Sequence, residues 1–346
     1  MAVQWFPGHM HATQKAIAER LKGIDVVIEM LDARLPGSSA NPLLSRLIGS
    51  KPTLKILNKQ DLADAERTQS WLEHYQAQAQ TRAIALDAGM AGPARALISA
   101  CHELAPQRGG LAKPLRVLIG GIPNVGKSTL INTLVGKRAT RVADEAGVTR
   151  QEQRILLTDD FYLYDTPGVL WQKIIVPESG YLLAASGAVG RNAYDEQEVA
   201  LELLKTLRQP YGALLHARYQ LKQSVPQIAS LPEDELLQAI GQRRGCLLPG
   251  GRLNAQKAAE IVLTDFRSGA LGRITLETPQ QFTRWLRAAQ RIEAERLALR
   301  QAGKAAPPPA AQAAASASGS AAQRAATDLP TSCSADALHP SPSLSH

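Results

Sequence analysis

The sequence predicts an α/β fold with a doubly wound, mostly parallel sheet, followed by a small all-α domain and a disordered tail. Up to about residue 175, β-branched apolar runs alternate with amphipathic segments, the pattern of a parallel sheet covered by helices. After Val176 the strand patterns stop and only helical spacing continues. From Gln301 to His346 the chain is mostly Ala, Pro, Ser and Gln, which bury too little apolar surface to fold.

The element boundaries follow from periodicity and from capping residues. In the first part we expect strands at 25–31, 53–57, 82–86, 115–119, 154–157 and 161–164. The intervening helices are expected at 12–22, 43–48, 61–75, 92–104 and 129–135. In the second part an Ala-rich apolar segment at 181–188 precedes expected helices at 196–207, 233–240, 255–265 and 279–300.

Composition limits the class of protein. The 346 residues carry a net charge of +8, which is compatible with nucleic-acid binding without proving it. Cys101, Cys246 and Cys333 share no short spacing, so the sequence favours neither a disulfide framework nor a zinc site. Since no apolar run reaches the length of a membrane span and the N-terminus lacks a signal-peptide pattern, we expect a cytoplasmic protein without a membrane partner.

Residues 121–129 fit G-x-x-x-x-G-K-[ST], the phosphate-binding P-loop, between an expected strand and an expected helix. The loop amides and the helix N-terminus attract phosphates, Lys127 reaches the β- and γ-phosphates, and the Ser128 hydroxyl holds Mg²⁺. With the glycine of a later motif, the candidate phosphate-binding residues are Pro123, Asn124, Val125, Gly126, Lys127, Ser128, Thr129 and Gly168.

Two further motifs identify the nucleotide. Asp165-Thr166-Pro167-Gly168 fits D-x-x-G, in which the Asp meets Mg²⁺ through water. Asn58-Lys59-Gln60-Asp61 fits N-K-x-D, in which the Asp61 carboxylate accepts from guanine N1–H and the N2 amino group. Adenine lacks this donor pair and would leave the carboxylate unpaired, so ATP is disfavoured.

The order of the motifs is permuted. The guanine-reading motif lies about 60 residues before the P-loop, whereas in Ras-like GTPases it follows D-x-x-G. A circular permutation keeps the same sheet and site when the original termini are close in space. We therefore expect a circularly permuted Ras-like GTPase domain over residues 1–175, a helical domain over 176–300 and a low-complexity tail over 301–346.

Two loop residues are candidates for catalysis. Thr149 lies between the P-loop and D-x-x-G, where a switch threonine would bind Mg²⁺ or the γ-phosphate. His9 follows the aromatic, turn-prone segment Trp5-Phe6-Pro7-Gly8. From spacing alone, packing of this arm on the core is favoured over delivery of His9 to the catalytic cleft.

The helical part is basic. Arg284, Arg287 and Arg291 follow i, i+3, i+7 spacing and share one helix face. Such a face is usually only solvated, but in a GTPase it is also a candidate RNA contact. The candidate RNA-binding residues are Arg243, Arg244, Arg267, Arg273, Arg284, Arg287 and Arg291.

Taken together, these motifs resemble the YlqF/RbgA family, bacterial circularly permuted GTPases that act in late assembly of the large ribosomal subunit. The resemblance covers roughly residues 1–300. Besides the permuted nucleotide motifs, it includes the segments Trp5-Phe6-Pro7-Gly8-His9-Met10, Asp32-Ala33-Arg34, Asp265-Phe266-Arg267-Ser268-Gly269 and Leu271-Gly272-Arg273-Ile274-Thr275-Leu276-Glu277. It implies a helical domain that docks on ribosomal RNA and hydrolysis stimulated by the large-subunit precursor. We expect a monomer.

The resemblance also implies roles for individual residues. His9 would orient the attacking water, since Val169 stands where Ras-like enzymes have a glutamine. Lys127 and Thr149 complete the catalytic group, and Asn124 resembles the P-loop asparagine of potassium-activated GTPases. Mg²⁺ would be held by Ser128, Thr149 and Asp165, and guanine by Asn58, Lys59, Asp61, Asp87 and Ala88.

The chain departs from the family pattern at two places. Asp87-Ala88 replaces the usual Ser-Ala, but the base contact there is mainly the Ala88 backbone N–H, so guanine specificity should survive. Ala146-Gly147 replaces the usual Pro-Gly, which is expected to loosen the switch segment and weakens the assignment of Thr149.

Two alternatives remain open from the sequence. One is an RNA-binding assembly factor whose GTP is only structural. The other is a permuted GTPase that acts on transfer RNA or messenger RNA.

Overall fold

A computed structural model describes residues 10–89, 92–136, 154–166 and 174–305. Its strands are β1 (Val26–Asp32), β2 (Thr53–Asn58), β3 (Thr81–Ala85), β4 (Leu115–Gly121), β5 (Arg154–Thr158) and β6 (Phe161–Asp165). They form one six-stranded sheet in the order β3-β2-β1-β4-β6-β5. Neighbouring strands are parallel except β5, which is antiparallel to β6 at one edge. This confirms the predicted fold class.

Strand β1 lies between the two strands that lead into the guanine-reading motif and the P-loop. It pairs with β2 on one side and with β4 on the other, with Asp32 opposite Asn58 and Met30 opposite Gly121. All residues of β1 and β2 are buried, as expected for parallel strands covered on both faces. The loops after β2 and β4 therefore leave the same edge of the sheet on either side of β1.

The helices of the sheet region connect the strands. They are α1 (Met10–Leu21), α2 (Pro36–Ser39), α3 (Pro42–Ile48), α4 (Ala65–Gln76), α5 (Pro93–Leu104) and α6 (Lys127–Val135). The predicted helix at 61–75 starts late, because Gln60–Leu62 forms a 3₁₀ turn and Asp64 caps α4 by accepting from Arg67 N.

After β6, every named element among the described residues is a helix. The α-helices are α7 (Pro177–Ser186), α8 (Glu196–Leu207), α9 (Gly212–Tyr219), α10 (Val225–Ser230), α11 (Glu233–Arg243), α12 (Ala255–Ser268) and α13 (Pro279–Ala305). The short helices α9 and α10 add to the predicted set. None of the described helices is long and apolar enough to cross a membrane.

An extended segment after α12 returns to the sheet region. Ile274 N donates to Leu62 O at 2.9 Å, and Leu276 N donates to Arg34 O at 2.7 Å. The Trp71 indole in turn donates to Glu277 O at 3.0 Å. The sheet and the helices as far as Glu295 accordingly form one compact unit. The predicted domain boundary near residue 176 lies inside this unit and stays a prediction.

A second unit begins at Arg296, and its described residues, 296–305, belong to α13. The rest of the predicted tail, 306–346, lies outside the described residues.

The Glu277 carboxyl group is fully buried beneath the short helix α2. Its Oε1 accepts from Ser38 N at 2.7 Å, and its Oε2 accepts from the Ser38 hydroxyl at 2.6 Å. Burial raises the pKa of Glu277 from 4.5 to about 7, although the bonds from Ser38 act in the opposite direction. The folded protein therefore holds a proton on Glu277 at a pH where the unfolded chain has lost it.

Replacing Glu277 with glutamine should remove this pH dependence. The glutamine amide keeps an acceptor oxygen and places an N–H where the protonated acid has its O–H, so E277Q and the wild type should be similarly stable below pH 4.5. As the pH rises through about 7, the wild type should lose up to roughly 3 kcal/mol of unfolding free energy relative to E277Q. Urea denaturation across this pH range measures the difference.

The control is E66Q, because Glu66 is exposed on α4. Its stability difference from the wild type should stay below about 1 kcal/mol throughout. A difference between E277Q and the wild type that does not change with pH would contradict the buried-proton interpretation.

Candidate guanine-nucleotide site

The loop between β4 and α6 has the backbone geometry of a phosphate cradle. Asn124 and Gly126 both have positive φ, 58° and 96°, and Gly126 lies at the N-cap of α6. A Cβ atom at position 126 would overlap the Asn58 side-chain nitrogen, so glycine is required there. The amide groups at the start of α6 are thus placed to bind an anion.

A charged pair lies beside this cradle. Lys127 Nζ donates to Asp165 Oδ1, and Asp165 ends β6 directly opposite Ile119 of β4. Ser128 is exposed in the first turn of α6. The lysine that the motif assigns to phosphate and the carboxylate that it assigns to Mg²⁺ therefore lie together.

These residues fit a magnesium ion shared with a nucleotide. Mg²⁺ prefers oxygen ligands, keeps several waters and is usually bound with substrate phosphates rather than by a full protein cage. Ser128 and Asp165 supply a hydroxyl and a carboxylate. Within the described ranges no group of three or more His, Cys, Asp or Glu side chains could hold a metal by itself.

Asn58 joins the three loops of the site. Its Nδ2 donates to Val125 O in the P-loop at 2.7 Å. Its Oδ1 accepts from Ala88 N in the loop after β3 at 2.8 Å. The side chain is buried, so both bonds matter for the stability of these loops. In this structure Asn58 therefore acts as a scaffold between the predicted guanine-binding and phosphate-binding segments.

Lys59 makes a second link between the same segments. It has a left-handed backbone, with φ of 62°, and its Nζ donates to Asn124 O in the P-loop and to Asp32 Oδ2, both at 2.8 Å. Burial alone would raise the pKa of Asp32, but Arg34 and Lys59 outweigh it and hold this pKa well below its usual range. Asp32 thus stays ionised and anchors Lys59.

The other predicted base-binding residues surround these links. Asp61 lies in the 3₁₀ turn that follows β2, and its side chain is exposed. Asp87 is half-buried and accepts from Gly89 N at 2.8 Å, whereas Ala88 is buried. An exposed carboxylate at Asp61 can accept from two adjacent donors of a base edge.

The P-loop asparagine also contacts the helical region. Asn124 Nδ2 donates to Gly187 O at the end of α7 at 2.7 Å. This leaves the side-chain oxygen, the atom type that a potassium ion would use. Pro123 is half-buried and Thr129 is exposed next to it. The predictions for His9, Thr149 and Gly168 lie outside the described residues.

The predicted RNA-binding arginines fall into two groups. Arg284 and Arg287 are exposed on α13, and Arg291 pairs with Glu295 there at 3.0 Å. Arg243 is exposed at the end of α11 and donates to Gln220. These four guanidinium groups remain accessible.

The other three make further contacts within the fold, although Arg244 and Arg273 are also exposed. Arg244 donates to Arg218 O and stacks on the Tyr219 ring. Arg273 donates to the carbonyls of Gln60 and Asp61 at 3.4 and 3.2 Å. Arg267 donates to carbonyls of α7. These contacts are explained by packing within the fold. The roles of the three arginines in RNA binding stay predictions.

Sequence reasoning did not place Asp32 and Arg34 in the site. Both are almost completely buried, and Arg34 binds Asp32 with two side-chain bonds of 2.9 and 2.8 Å. The available signal was a charged pair directly after an apolar strand, since buried charges occur only where they are paired.

Comparisons with known proteins decide the family. The family model described as a 50S ribosome-binding GTPase matches residues 116–217. Ribosome biogenesis GTPase A of Priestia megaterium is 40% identical over 291 residues, covering 81% of this chain and 98% of the relative. The chain belongs to the ribosome biogenesis GTPase A family.

Solved structures of related proteins agree with this assignment. GNP-bound YlqF from T. maritima has a TM-score of 0.55 and 26% identity, covering 78% of this chain and 99% of that chain. A GDP-bound YlqF structure has the same TM-score and identity, covering 76% and 99%. As a member of the ribosome biogenesis GTPase A family, the chain binds guanine nucleotide and hydrolyses GTP to GDP and phosphate. The predicted family and enzyme class are confirmed.

Changing Asp61 to asparagine should change the base preference. Xanthine has a C2 carbonyl where guanine has an amino group, so the asparagine amide can donate to xanthine but opposes guanine. We expect GDP to bind about a hundredfold more weakly to D61N, and XDP to bind more tightly than it does to the wild type. Calorimetric titration with both nucleotides measures the ratio.

D234N serves as the control, because Asp234 is exposed on α11 and lies outside the candidate site. Its ratio of GDP to XDP affinity should match that of the wild type. An unaltered ratio in D61N would remove Asp61 from base recognition.

Proposed function

We propose that this GTPase acts on the precursor of the large ribosomal subunit, promotes its late assembly, and hydrolyses GTP faster when bound to that particle. One observation carries the placement of GTP. Asn58 and Lys59 of the guanine-reading motif bond directly to the P-loop, although about 60 residues separate the two motifs. The permuted parts therefore assemble into one site.

The ribosomal partner is supported by the related proteins. The matching family model is described as a 50S ribosome-binding GTPase, and the relative from Priestia megaterium is a ribosome biogenesis GTPase A. The basic face of α13, with exposed Arg284 and Arg287, supplies positive charge of the kind that ribosomal RNA attracts.

The chemistry that we assign is phosphoryl transfer to water. Such reactions depend mainly on positioning and charge neutralisation. Lys127 and the amides of the P-loop bind the phosphates, Gly168 donates its amide to the γ-phosphate, and Lys127 moves from Asp165 to the nucleotide when GTP binds. Asp61 and the Ala88 amide hold the base.

The remaining roles concern ions and water. Ser128, Thr149 and Asp165 would hold Mg²⁺, which neutralises negative charge that develops on the phosphate oxygens. The Asn124 side-chain oxygen would hold K⁺. His9 orients the attacking water, because Val169 has no hydrogen-bonding group for it.

The permuted order of the motifs also affects how the nucleotide state is communicated to the helical region. Only eight residues separate D-x-x-G from α7, so nucleotide state can be communicated to the helical region. We propose that the GTP form docks on the precursor particle and that the GDP form releases it.

Large ribosomal subunits should accelerate GTP hydrolysis, and small subunits should not. The reason is that the isolated site lacks a side chain at position 169 that can orient water. Phosphate release at fixed Mg²⁺ and K⁺ is measured for the protein alone and with each subunit. No acceleration by either subunit would favour structural GTP or a different RNA target.

His9→Ala separates the catalytic step from particle binding in the same assay. The variant should lose most of the subunit-stimulated turnover, on the order of a hundredfold, while its GTP affinity stays nearly unchanged. Wild-type turnover in this variant would remove His9 from the mechanism.

The basic face of α13 should contribute electrostatically to particle binding. Replacing Arg284 and Arg287 together with glutamine should weaken binding and lower the slope of log affinity against log salt by up to about 2. Sedimentation with large subunits over a salt series measures this slope.

The matched control is R46Q, since Arg46 is also exposed but lies on α3. It should retain the wild-type slope. Equal slopes for the double variant and R46Q would exclude the α13 face from the interface.

A further inference from the structure

Hydrogen bonds link the nucleotide loops to the ends of two helices in the helical region, and together they form a closed ring. We define the polar ring as the side chains of Asp32, Lys59, Asn124, Arg34 and Arg267 with the helix ends that they contact. Lys59 and Asn124 belong to the candidate nucleotide site, whereas Arg267 belongs to α12. The ring therefore joins two parts of the chain that meet only in the tertiary structure.

The first half of the ring runs from the P-loop to α12. Lys59 Nζ bridges Asn124 O and Asp32 Oδ2, each at 2.8 Å. Arg34 binds Asp32 through Nε and Nη2, and its Nη1 donates to Phe266 O at 3.2 Å in the last turn of α12. The Arg34 guanidinium also lies over the Phe266 ring, 4.8 Å from its centre.

The second half runs from α12 back to the P-loop. Arg267 donates from Nε to Ala185 O and from Nη2 to Ala184 O, both at 2.9 Å, in the last turn of α7. The next residue after that helix, Gly187, accepts from Asn124 Nδ2 at 2.7 Å. Asn124 is thus held from both directions, by its carbonyl and by its side chain.

Each link has a physical reason to be specific. The last carbonyls of a helix lack partners within it and carry partial negative charge, which favours cations such as Arg34 and Arg267. Arg34 is only 2% exposed, so losing its carbonyl partner in α12 would leave a buried N–H group unsatisfied. A guanidinium makes several bonds in one plane, so a shift of one partner distorts the bonds that the guanidinium makes to its other partners.

We propose that the polar ring couples guanine-nucleotide affinity to the packing of α7 and α12, with Arg34 and Arg267 as positioning residues. Nucleotide that fixes Asn124 and Lys59 also fixes the C-terminal turns of both helices. By linkage, breaking the ring's own bonds to those turns weakens nucleotide binding by the same factor by which nucleotide stabilises these bonds. The inference rests on the proposed placement of the nucleotide at the P-loop, and it needs no ribosomal particle.

The first test is the GDP affinity of the full-length variant R267K. Lysine keeps the charge but cannot bond both carbonyls of α7 in one plane, so GDP should bind about fivefold more weakly, within the usual range of such coupling. The matched control is R218K. Arg218 also makes two bonds, of 3.0 and 2.7 Å, but to the Asp265 carboxylate of α12, and it lies outside the ring.

R218K should bind GDP within about twofold of the wild type even where it loses similar unfolding stability, because it leaves the ring intact. GDP affinities for R267K and R218K that both equal the wild-type value would overturn the proposal. Equal weakening in both variants would also overturn it, since the effect would then reflect general loss of stability.

The second test uses the wild-type protein, so it does not depend on whether R267K folds. GDP should slow amide hydrogen exchange at the C-terminal turn of α12, where Gly269 N donates to Phe266 O. The end of α11, where Arg244 N donates to Ile240 O, should be unaffected. Unchanged exchange at the α12 turn would overturn the proposal, whereas failure of particle stimulation would affect only the proposed function.

Discussion

The architecture of the site depends on one buried carboxylate. Asp32 ends the central strand β1, accepts from Arg34 and Lys59, and keeps a pKa well below its usual range. A buried charge is tolerated only when its partners are fixed in good geometry. Through Lys59 this requirement fixes the guanine-reading loop against the P-loop, and through Arg34 it fixes α12 against the sheet.

Permutation leaves this arrangement intact because the geometry of a parallel sheet does not depend on chain order. Strand β1 lies between β2 and β4, so the loops that follow those two strands leave the same edge on either side of Asp32. Asn58 then joins the P-loop and the loop after β3 with its own amide group. The site forms at the ends of neighbouring strands, whatever the order of those strands along the chain.

The helical region is attached to the sheet region by more than a tether. The extended segment after α12 bonds to the backbone of Leu62 and Arg34, and it buries Glu277 beneath α2. This explains why a run of residues beyond the nucleotide motifs, from Leu271 to Glu277, belongs to the resemblance noted from the sequence. Its role in the structure is to join the two regions.

The sequence by itself determined the strands, most of the helices, the three nucleotide motifs and their permuted order. These features depend on local periodicity and on fixed spacings, which can be recognised within short stretches of sequence. Motif and spacing therefore locate the P-loop, Asn58 and Asp165 in the sequence, and their contacts with the nucleotide stay predictions.

Only the tertiary structure decided what the isolated charges do. Asp32 and Arg34, only two positions apart, form a pair that the packed chain buries. Arg267 caps α7 because residues more than 80 positions apart meet there. A sequence pattern shows that an arginine is present but not which carbonyls it will reach. Burial and partners are properties of the packed chain, and they separate a helix-capping arginine such as Arg267 from an exposed one such as Arg284.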